Sequence, residues 1–416
     1  MIPQIILLNG PSSSGKSTLS KALQKALREM KNEEYDIVSI DDFLKMSAQD
    51  VIYETDVYEI SPQICKAALE SMKAGHGAIM DHVITSERIY EQLLDALEGY
   101  GLIRVHVTCP LQELKEREMQ RKDRCIGSAE ASYEYLYPRD GYDLTVDTAA
   151  CRTEEITRKI IRLCDKKQLL FYDAYEEFYA MTSGSNAFRA FCKDAFGEDF
   201  SQDGFSDVSQ IDMILKYVPA KEAVHILDIG CGNGKMLGYL QQKTGAHIYG
   251  FDYSGQAIKA AQALFPMNAE FKEGIIGEIE YPEEKFDVIT SMDTMYFAKD
   301  MTAFVAQIKR WLKPDGVFFA GYQEGDVMPK TPNVQTAQLT KALEQNQMIY
   351  EVTDITGQTY ELLKAKRRAA IAHETAFAAE GHKNWFDMLM QQTEYATEPY
   401  EQFREKMARY IYVIRK

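Results

Sequence analysis

The chain is poor in cysteine, lacks a surplus of basic residues and has no long apolar stretch. Its seven cysteines contain no CxxC pair, which disfavours a zinc site or a disulfide framework and favours a reduced, cytoplasmic setting. Lys and Arg number 47 against 63 Asp and Glu, a net charge of −16, which disfavours long nucleic acids as partners. No apolar run approaches the roughly 20 residues that span a bilayer. The opening MIPQIILLNG lacks the basic region of a signal peptide and predicts a strand, so we expect no membrane partner.

The length and the element pattern predict two domains. A chain of 416 residues exceeds what one core usually supports, and we place the domains at residues 1–166 and 167–416. Each reads as strand and helix in alternation, which predicts the α/β class with two doubly wound parallel sheets, each covered by helices on both faces. Residues 166–182 lack the composition of a flexible linker and predict a packed helix.

The first domain opens with a phosphate-binding pattern. A predicted strand ends at Leu8, the segment GPSSSGKST follows, and a predicted helix begins near Lys16. This segment matches the pattern GxxxxGK[ST] and has the strand before it and the helix after it that the pattern requires. In this pattern backbone N–H groups surround phosphates, the lysine neutralises their charge and the serine, here Ser17, ligates Mg²⁺. The alternative is a Gly/Ser-rich turn without function. The predicted ATP-binding residues are Gly10, Ser12, Ser13, Ser14, Gly15, Lys16, Ser17 and Thr18.

Acids follow two predicted strands of this domain. Asp41 and Asp42 directly follow the predicted strand YDIVSI, and Asp81 directly follows the apolar residues AIM of another predicted strand. Because carboxyl ends of parallel strands face the ligand crevice, one acid of the pair is placed to accept a proton from a hydroxyl during phosphoryl transfer, and Asp42 would then contact substrate. Asp81 is predicted to support Mg²⁺ with Ser17 or to bind the acceptor. The alternative for all three acids is helix capping or solvation.

A basic segment follows the fourth predicted strand. LQELKEREMQRKDR carries Arg117, Arg121, Lys122 and Arg124. Such a segment would stabilise charge on a transferring phosphoryl group if it closed over a triphosphate. The alternative is a solvated helix in which Glu113 and Arg117 pair at i,i+4.

Four segments of this domain resemble the chloramphenicol phosphotransferase-like branch of the P-loop kinases: GPSSSGKS, IDDFL, EREMQRKDRCIGSA and YDLTVDTAACRTEEI. The resemblance implies an ATP-dependent phosphotransferase acting on a small-molecule hydroxyl. It implies that Asp41 is the base and that Lys16 is catalytic. It also implies that Arg121 and Arg124 are catalytic arginines of a lid.

The second domain is organised around HILDIGCGNGKMLGYLQQKTGAHIYGFD, from His225 to Asp252. A predicted strand leads into a turn with three glycines, and a second strand ends on Asp252, where a carboxylate can accept hydrogen bonds from ribose hydroxyls. GCGNG lacks the GxGxxG spacing typical of NAD sites. The alternative is a Gly-rich turn in another doubly wound protein.

This stretch resembles the motif of class I S-adenosylmethionine-dependent methyltransferases, as do FDVITS and LKPDG further on. The resemblance implies an antiparallel last strand and a helical cap inserted at about residues 357–408. The acid that relatives place after the third strand falls on Ile275. FGEDFSQDGFSD, residues 196–207, resembles a segment that lies over donor and acceptor. The residues that the methyltransferase resemblance implies for binding S-adenosylmethionine are Asp228, Gly230, Cys231, Gly232, Gly234, Asp252, Tyr253, Ile276 and Met292. Aromatic residues of the segment 196–207 are more often part of a core than substrate contacts. Tyr296, after the fourth strand, is the acceptor contact that the resemblance implies.

We therefore expect a cytoplasmic enzyme that joins an ATP-dependent phosphotransferase to an S-adenosylmethionine-dependent methyltransferase, both acting on small molecules such as an antibiotic, a nucleoside or another natural product. The cofactors expected are S-adenosylmethionine, ATP and Mg²⁺. The first rival is a methyltransferase regulated by a nucleotide-binding P-loop domain. The second is an RNA-modifying protein, against which the acidic charge argues.

Overall fold

The computed structural model describes residues 4–44, 52–120 and 125–416. The chain divides into two compact units, Met1–Leu169 and Leu170–Lys416. Over the described residues, no helix combines the length and apolar composition needed to cross a membrane.

The first unit is a parallel sheet between two layers of helices. Its strands are β1 (Ile5–Asn9), β2 (Tyr35–Ser39), β3 (Gly77–His82), β4 (Leu102–Thr108) and β5 (Leu144–Asp147), in the order β2-β3-β1-β4-β5. Its helices are α1 (Lys16–Lys31), α2 (Ile40–Leu44), α3 (Glu54–Lys73), α4 (Glu87–Ala96), α5 (Leu111–Gln120), α6 (Ser128–Tyr135) and α7 (Thr153–Lys167). Alternate residues of β1 point to opposite faces: Ile6 packs with α1 and α7, and Ile5 packs with α3 and α4. The carboxyl ends of β1, β2 and β3 therefore meet at one edge.

The second unit has a seven-stranded mixed sheet, ordered β11-β12-β10-β9-β6-β7-β8. Its strands are β6 (His225–Ile229), β7 (His247–Asp252), β8 (Ala269–Glu273), β9 (Phe286–Met292), β10 (Leu312–Glu324), β11 (Ile349–Asp354) and β12 (Ala408–Arg415). β12 lies between β10 and β11 and runs antiparallel to both. This confirms the predicted fold class, including the antiparallel last strand.

Helices cover both faces of this sheet as well. Before β6 come α8 (Tyr172–Gly184), α9 (Asn186–Phe196) and α10 (Val208–Leu215). Between the strands lie α11 (Lys235–Thr244), α12 (Gly255–Leu264), α13 (Met301–Trp311) and α14 (Gln338–Gln345). The predicted cap, inserted between β11 and β12, consists of α15 (Thr356–Ala372), α16 (Glu374–Ala379), α17 (Lys383–Gln392) and α18 (Tyr400–Lys406). Its α15 packs on α9, so the segment before β6 and the cap share one core.

One local prediction was wrong. Residues 166–182 are not one helix, because α7 ends at Lys167 and α8 begins at Tyr172, after Phe171 with φ 61°. The motif LKPDG lies within β10, where the register with β9 is irregular between Leu312 and Val317.

Candidate functional sites

The phosphate loop of the first unit joins β1 to α1. At Gly10 an added Cβ would lie 2.1 Å from the carbonyl oxygen of Val107 in β4, so only glycine fits there. The buried Lys16 Nζ donates to the carbonyl oxygens of Gly10 at 2.9 Å and Pro11 at 2.8 Å. The side chain of Lys16, at the amino end of α1, is therefore hydrogen-bonded back to its own loop.

The two residues predicted to hold Mg²⁺ are adjacent. The Ser17 hydroxyl donates to Asp81 Oδ2 at 2.6 Å, and Asp81 is buried at the end of β3. Both supply oxygen, the ligand atom that Mg²⁺ prefers, and this ion commonly takes its other ligands from phosphate and water. No group of three or more His, Cys, Asp and Glu suited to a metal occurs in the described part of the chain. The pair therefore fits a nucleotide-bound Mg²⁺ and not an all-protein metal cage.

A cavity of about 710 Å³ opens beside this loop. Lys16, Ser17, Asp41 and Asp81 all line it, whereas Asp42 does not and is exposed on α2. Of the predicted pair, only Asp41 lines this cavity. Apolar side chains make up much of the remaining lining of this cavity. They include Ile40, Leu44, Ile52, Val57, Val83, Ile126, Ala131 and Tyr135.

The basic segment contacts the loop through Arg117 and through Thr148, a residue that sequence reasoning did not single out. Arg117 Nη1 donates to Thr148 Oγ1 at 3.0 Å, and that hydroxyl donates to the Ser14 carbonyl oxygen at 2.7 Å. Arg117 Nε also donates to Glu113 at 3.0 Å, so the predicted i,i+4 pair is present together with the loop contact. Arg121, Lys122 and Arg124 lie outside the described residues.

The glycine turn of the second unit joins β6 to α11. Gly232 has φ +53°, and an added Cβ would lie 2.2 Å from the hydroxyl of Tyr179 in α8. Its N–H donates to Asp252 Oδ2 at 3.0 Å, and Asp252 Oδ1 accepts from the Ser254 N–H at 2.9 Å. The turn and the end of β7 are therefore fixed to each other.

Asp228, near the end of β6, is a second buried carboxyl of this site. Its Oδ1 accepts from Thr290 Oγ1 at 2.7 Å. Burial, reinforced by the nearby Asp252, raises the pKa of Asp228 to about 8. Asp228 is therefore mostly protonated at neutral pH, and a cationic ligand would favour its ionised form.

The other predicted donor residues lie at the same edge of the sheet. Tyr253 directly follows Asp252, and its ring lies 5.6 Å from that of Tyr172 and 6.1 Å from that of Tyr175, both in α8. Ile276 follows β8, and Met292 ends β9. Cys231 and Gly234 belong to the turn itself, and Cys231 is buried. Ile275, at the position where relatives place an acid, is 7% exposed and apolar.

The segment predicted to cover the donor is bonded to the turn. Asn233 Nδ2 donates to the carbonyl oxygens of Phe200 at 3.2 Å and Ser201 at 2.9 Å. Lys235 Nζ donates to Asp199 Oδ2 and to Ser201 Oγ, each at 2.8 Å. The first turn of α11 thus holds residues 199–201 in place.

A buried arginine, missed by sequence reasoning, joins the start of β12 to the end of β9. Arg409 of β12 is fully buried and forms a bidentate ion pair with Asp293, through Nε at 3.0 Å and Nη2 at 2.7 Å. It also donates to Ser206 Oγ at 2.8 Å and to Gln210 Oε1 at 2.5 Å. Tyr296 follows Asp293 after β9, and burial raises its pKa well above the usual value. The sequence feature that could have pointed to Arg409 is its position as a charged residue at the start of the apolar strand RYIYVI.

Fold and turns together define a P-loop α/β unit followed by a Rossmann-like unit of the class I methyltransferase type. Comparison with known families agrees. Residues 3–164 match the family described as chloramphenicol phosphotransferase-like protein, and residues 227–320 match the family described as methyltransferase domain. The chain therefore carries one domain of each family.

Among curated proteins, the similarity is to methyltransferases. Phosphoethanolamine N-methyltransferase 1 of Arabidopsis thaliana is 28% identical over 183 residues, 43% of this chain and 35% of that protein. A sterol 24-C-methyltransferase of Gibberella zeae is 27% identical over 208 residues, 49% of this chain and 52% of that protein. The chain thus spans about half or less of the length of these relatives.

Among solved structures, phosphoethanolamine N-methyltransferase 2 of Haemonchus contortus, in complex with phosphomonomethylethanolamine and S-adenosylhomocysteine, gives a TM-score of 0.49 at 16% identity. That match covers 97% of this chain and 99% of the other. The mycolic acid cyclopropane synthase CmaA1, complexed with S-adenosylhomocysteine, gives 0.45 at 15% identity, covering 57% and 98%.

Proposed function

We propose that the chain is a bifunctional small-molecule transferase. The first unit phosphorylates a hydroxyl with ATP, and the second transfers a methyl group from S-adenosylmethionine. The observation that supports the first activity most directly is the single cavity that Lys16, Ser17, Asp41 and Asp81 share. For the second, it is the glycine turn hydrogen-bonded to Asp252 at the carboxyl edge of the sheet.

In the phosphotransferase unit, Asp41 accepts the proton of the acceptor hydroxyl as the hydroxyl oxygen attacks the terminal phosphorus of ATP, the bond from that phosphorus to the β-phosphate oxygen breaks, and ADP leaves. Lys16, now donating to loop carbonyls, turns to the phosphates and offsets charge that develops on the transferring group. Ser17 and Asp81 would hold Mg²⁺, which would offset negative charge on the phosphates. Arg117 stiffens the loop through Thr148, which bonds to Ser14.

In the methyltransferase unit, the protein aligns two reactants and excludes water, because the donor sulfonium already carries the reactivity. Asp252 is placed to accept hydrogen bonds from ribose hydroxyls. Asp228 would supply negative charge beside a cationic donor. Tyr296 and the segment fixed by Arg409 would line the acceptor side, and the cap between β11 and β12 would close it.

The acceptors of both units are also part of the proposal. The many apolar residues that line the first cavity support an acceptor with an apolar body, in keeping with an antibiotic, a nucleoside or another natural product. For the methyl group, the names of the relatives make phosphoethanolamine the first compound to test. We further propose that the two units act in one pathway, a hypothesis that rests on their fusion in one chain.

The test is to incubate the full chain with ATP, Mg²⁺, labelled S-adenosylmethionine and a panel of alcohols and amines. Asp41→Asn should reduce phosphorylation by a factor on the order of 10² or more. Asp42→Asn is the matched control, because Asp42 is exposed and does not line the cavity, and it should retain activity. Equal activity of both variants would remove Asp41 from the proposal.

The same assays separate the rivals. If Lys16→Ala leaves methylation intact but abolishes its control by nucleotide, the first unit is a regulator and not a phosphotransferase. An RNA mobility shift that persists at moderate salt would favour an RNA-modifying protein.

A further inference from the structure

One tyrosine of α8 lies directly on the glycine turn of the second unit. Tyr179 is 7% exposed, and its hydroxyl would be 2.2 Å from a Cβ placed on Gly232. No described residue forms a hydrogen bond with that hydroxyl, although Asp252 lies near enough to affect its titration. The hydroxyl therefore lies at the glycine turn, close to both Gly232 and Asp252.

The rest of α8 follows the same edge. The rings of Tyr172 and Tyr175 pack on Tyr253, which directly follows Asp252. Helix α8 also packs on α12, the helix that begins just after β7. It therefore covers the turn at Gly232 and the end of β7 together, which are the two places where an adenosine-containing donor would be held.

We propose that Tyr179 is part of the methyl-donor site and that its hydroxyl donates a hydrogen bond to an oxygen of S-adenosylmethionine lying along Gly232. This inference rests on the proposed methyltransferase function. Burial, reinforced by Asp252, raises the pKa of Tyr179 well above its usual value, so the hydroxyl keeps its proton and acts as a donor. A ribose oxygen or the carboxylate of the methionine portion is the acceptor that this chemistry selects.

The experiment compares binding of S-adenosylhomocysteine to the full chain and to Tyr179→Phe by titration calorimetry, which needs no methyl acceptor. The variant removes only the hydroxyl, so we expect binding to weaken about tenfold, the effect of one hydrogen bond to a polar or charged group. Tyr410→Phe is the matched control, because Tyr410 is also 7% exposed but lies in β12 and packs in the core on the opposite face of the sheet. Its binding should not change.

Two further readouts separate a donor contact from a structural role. ATP binding by the first unit and the urea midpoint of the second unit should be the same in Tyr179→Phe and in the unchanged chain. If Tyr179→Phe binds S-adenosylhomocysteine as tightly as the unchanged chain, or more tightly because the tyrosine blocks the site, the inference is wrong. If the unchanged chain binds neither S-adenosylmethionine nor S-adenosylhomocysteine, the proposed function fails first and the inference falls with it.

Discussion

The ion pair between Arg409 and Asp293 makes a sharp prediction about stability. Their side chains are 0% and 6% exposed, so replacing Arg409 by Met leaves a carboxylate buried without its partner. It also deprives Ser206 Oγ, Gln210 Oε1 and the Phe205 carbonyl of a donor. Breaking a buried pair in this way costs about 3–5 kcal/mol, which we expect as the loss in unfolding free energy of the second unit.

The assay is urea unfolding followed by tryptophan fluorescence. Both tryptophans of the chain, Trp311 and Trp385, belong to the second unit, so the signal reports that unit alone. Arg310→Met is the matched control, because Arg310 pairs with Glu280 at 3.4 Å on the surface, with both side chains about half exposed or more. Such a pair contributes roughly 0–1 kcal/mol. A loss below about 1 kcal/mol for Arg409→Met would refute the reasoning, since burial would then add nothing to the pair.

Three further outcomes are expected. Gly232→Ala should weaken S-adenosylhomocysteine binding about tenfold or more, because the added Cβ would meet Tyr179. Gly245→Ala, also at positive φ but in open space, should leave binding unchanged. Equal effects of the two substitutions would contradict the steric argument. Binding of S-adenosylmethionine at pH 7 should release close to one proton, because a cation favours ionised Asp228, whose pKa is about 8; calorimetry in buffers of different ionisation enthalpy measures this, and Asp228→Asn should abolish it. The buried His82 has a pKa lowered from 6.5 to about 4. Its contribution to the free energy of unfolding is therefore complete above pH 6.5 and is lost as the pH falls toward 4, a loss of about 3 kcal/mol. Chemical denaturation followed by circular dichroism should show that the free energy of unfolding depends less on pH in His82→Phe.

What the sequence predicted well are features carried by contiguous residues. Each glycine turn follows a buried strand and precedes a helix, so its pattern spans fewer than about ten residues and needs no knowledge of distant contacts. The acids at strand ends are equally local, because parallel strands bring their carboxyl ends to one edge. Asp81 and Ser17 illustrate this, since each was found from its own strand or loop and the structure joins them at 2.6 Å.

The choice between two neighbouring acids came from the family resemblance and not from the strand-end pattern. Asp41 and Asp42 both follow the predicted strand, but the chain enters α2 at Ile40, one residue after β2 ends. Successive residues of a helix point in directions about 100° apart, so only one of the pair can face the cavity. Strand-end position alone therefore could not separate them.

The proposed acceptor side of the second unit joins residues that are far apart along the chain. Arg409 is 116 residues from Asp293 and 199 from Gln210, and no local pattern links them. The topology nonetheless explains the meeting. Because β12 runs antiparallel to β10, its first residues lie at the edge where β9 and β10 end. An arginine at the start of that strand is therefore delivered to the same edge as the glycine turn. The cap inserted just before β12 enters the fold beside it, so the proposed donor and acceptor sides share an edge, although only the donor side is contiguous in sequence.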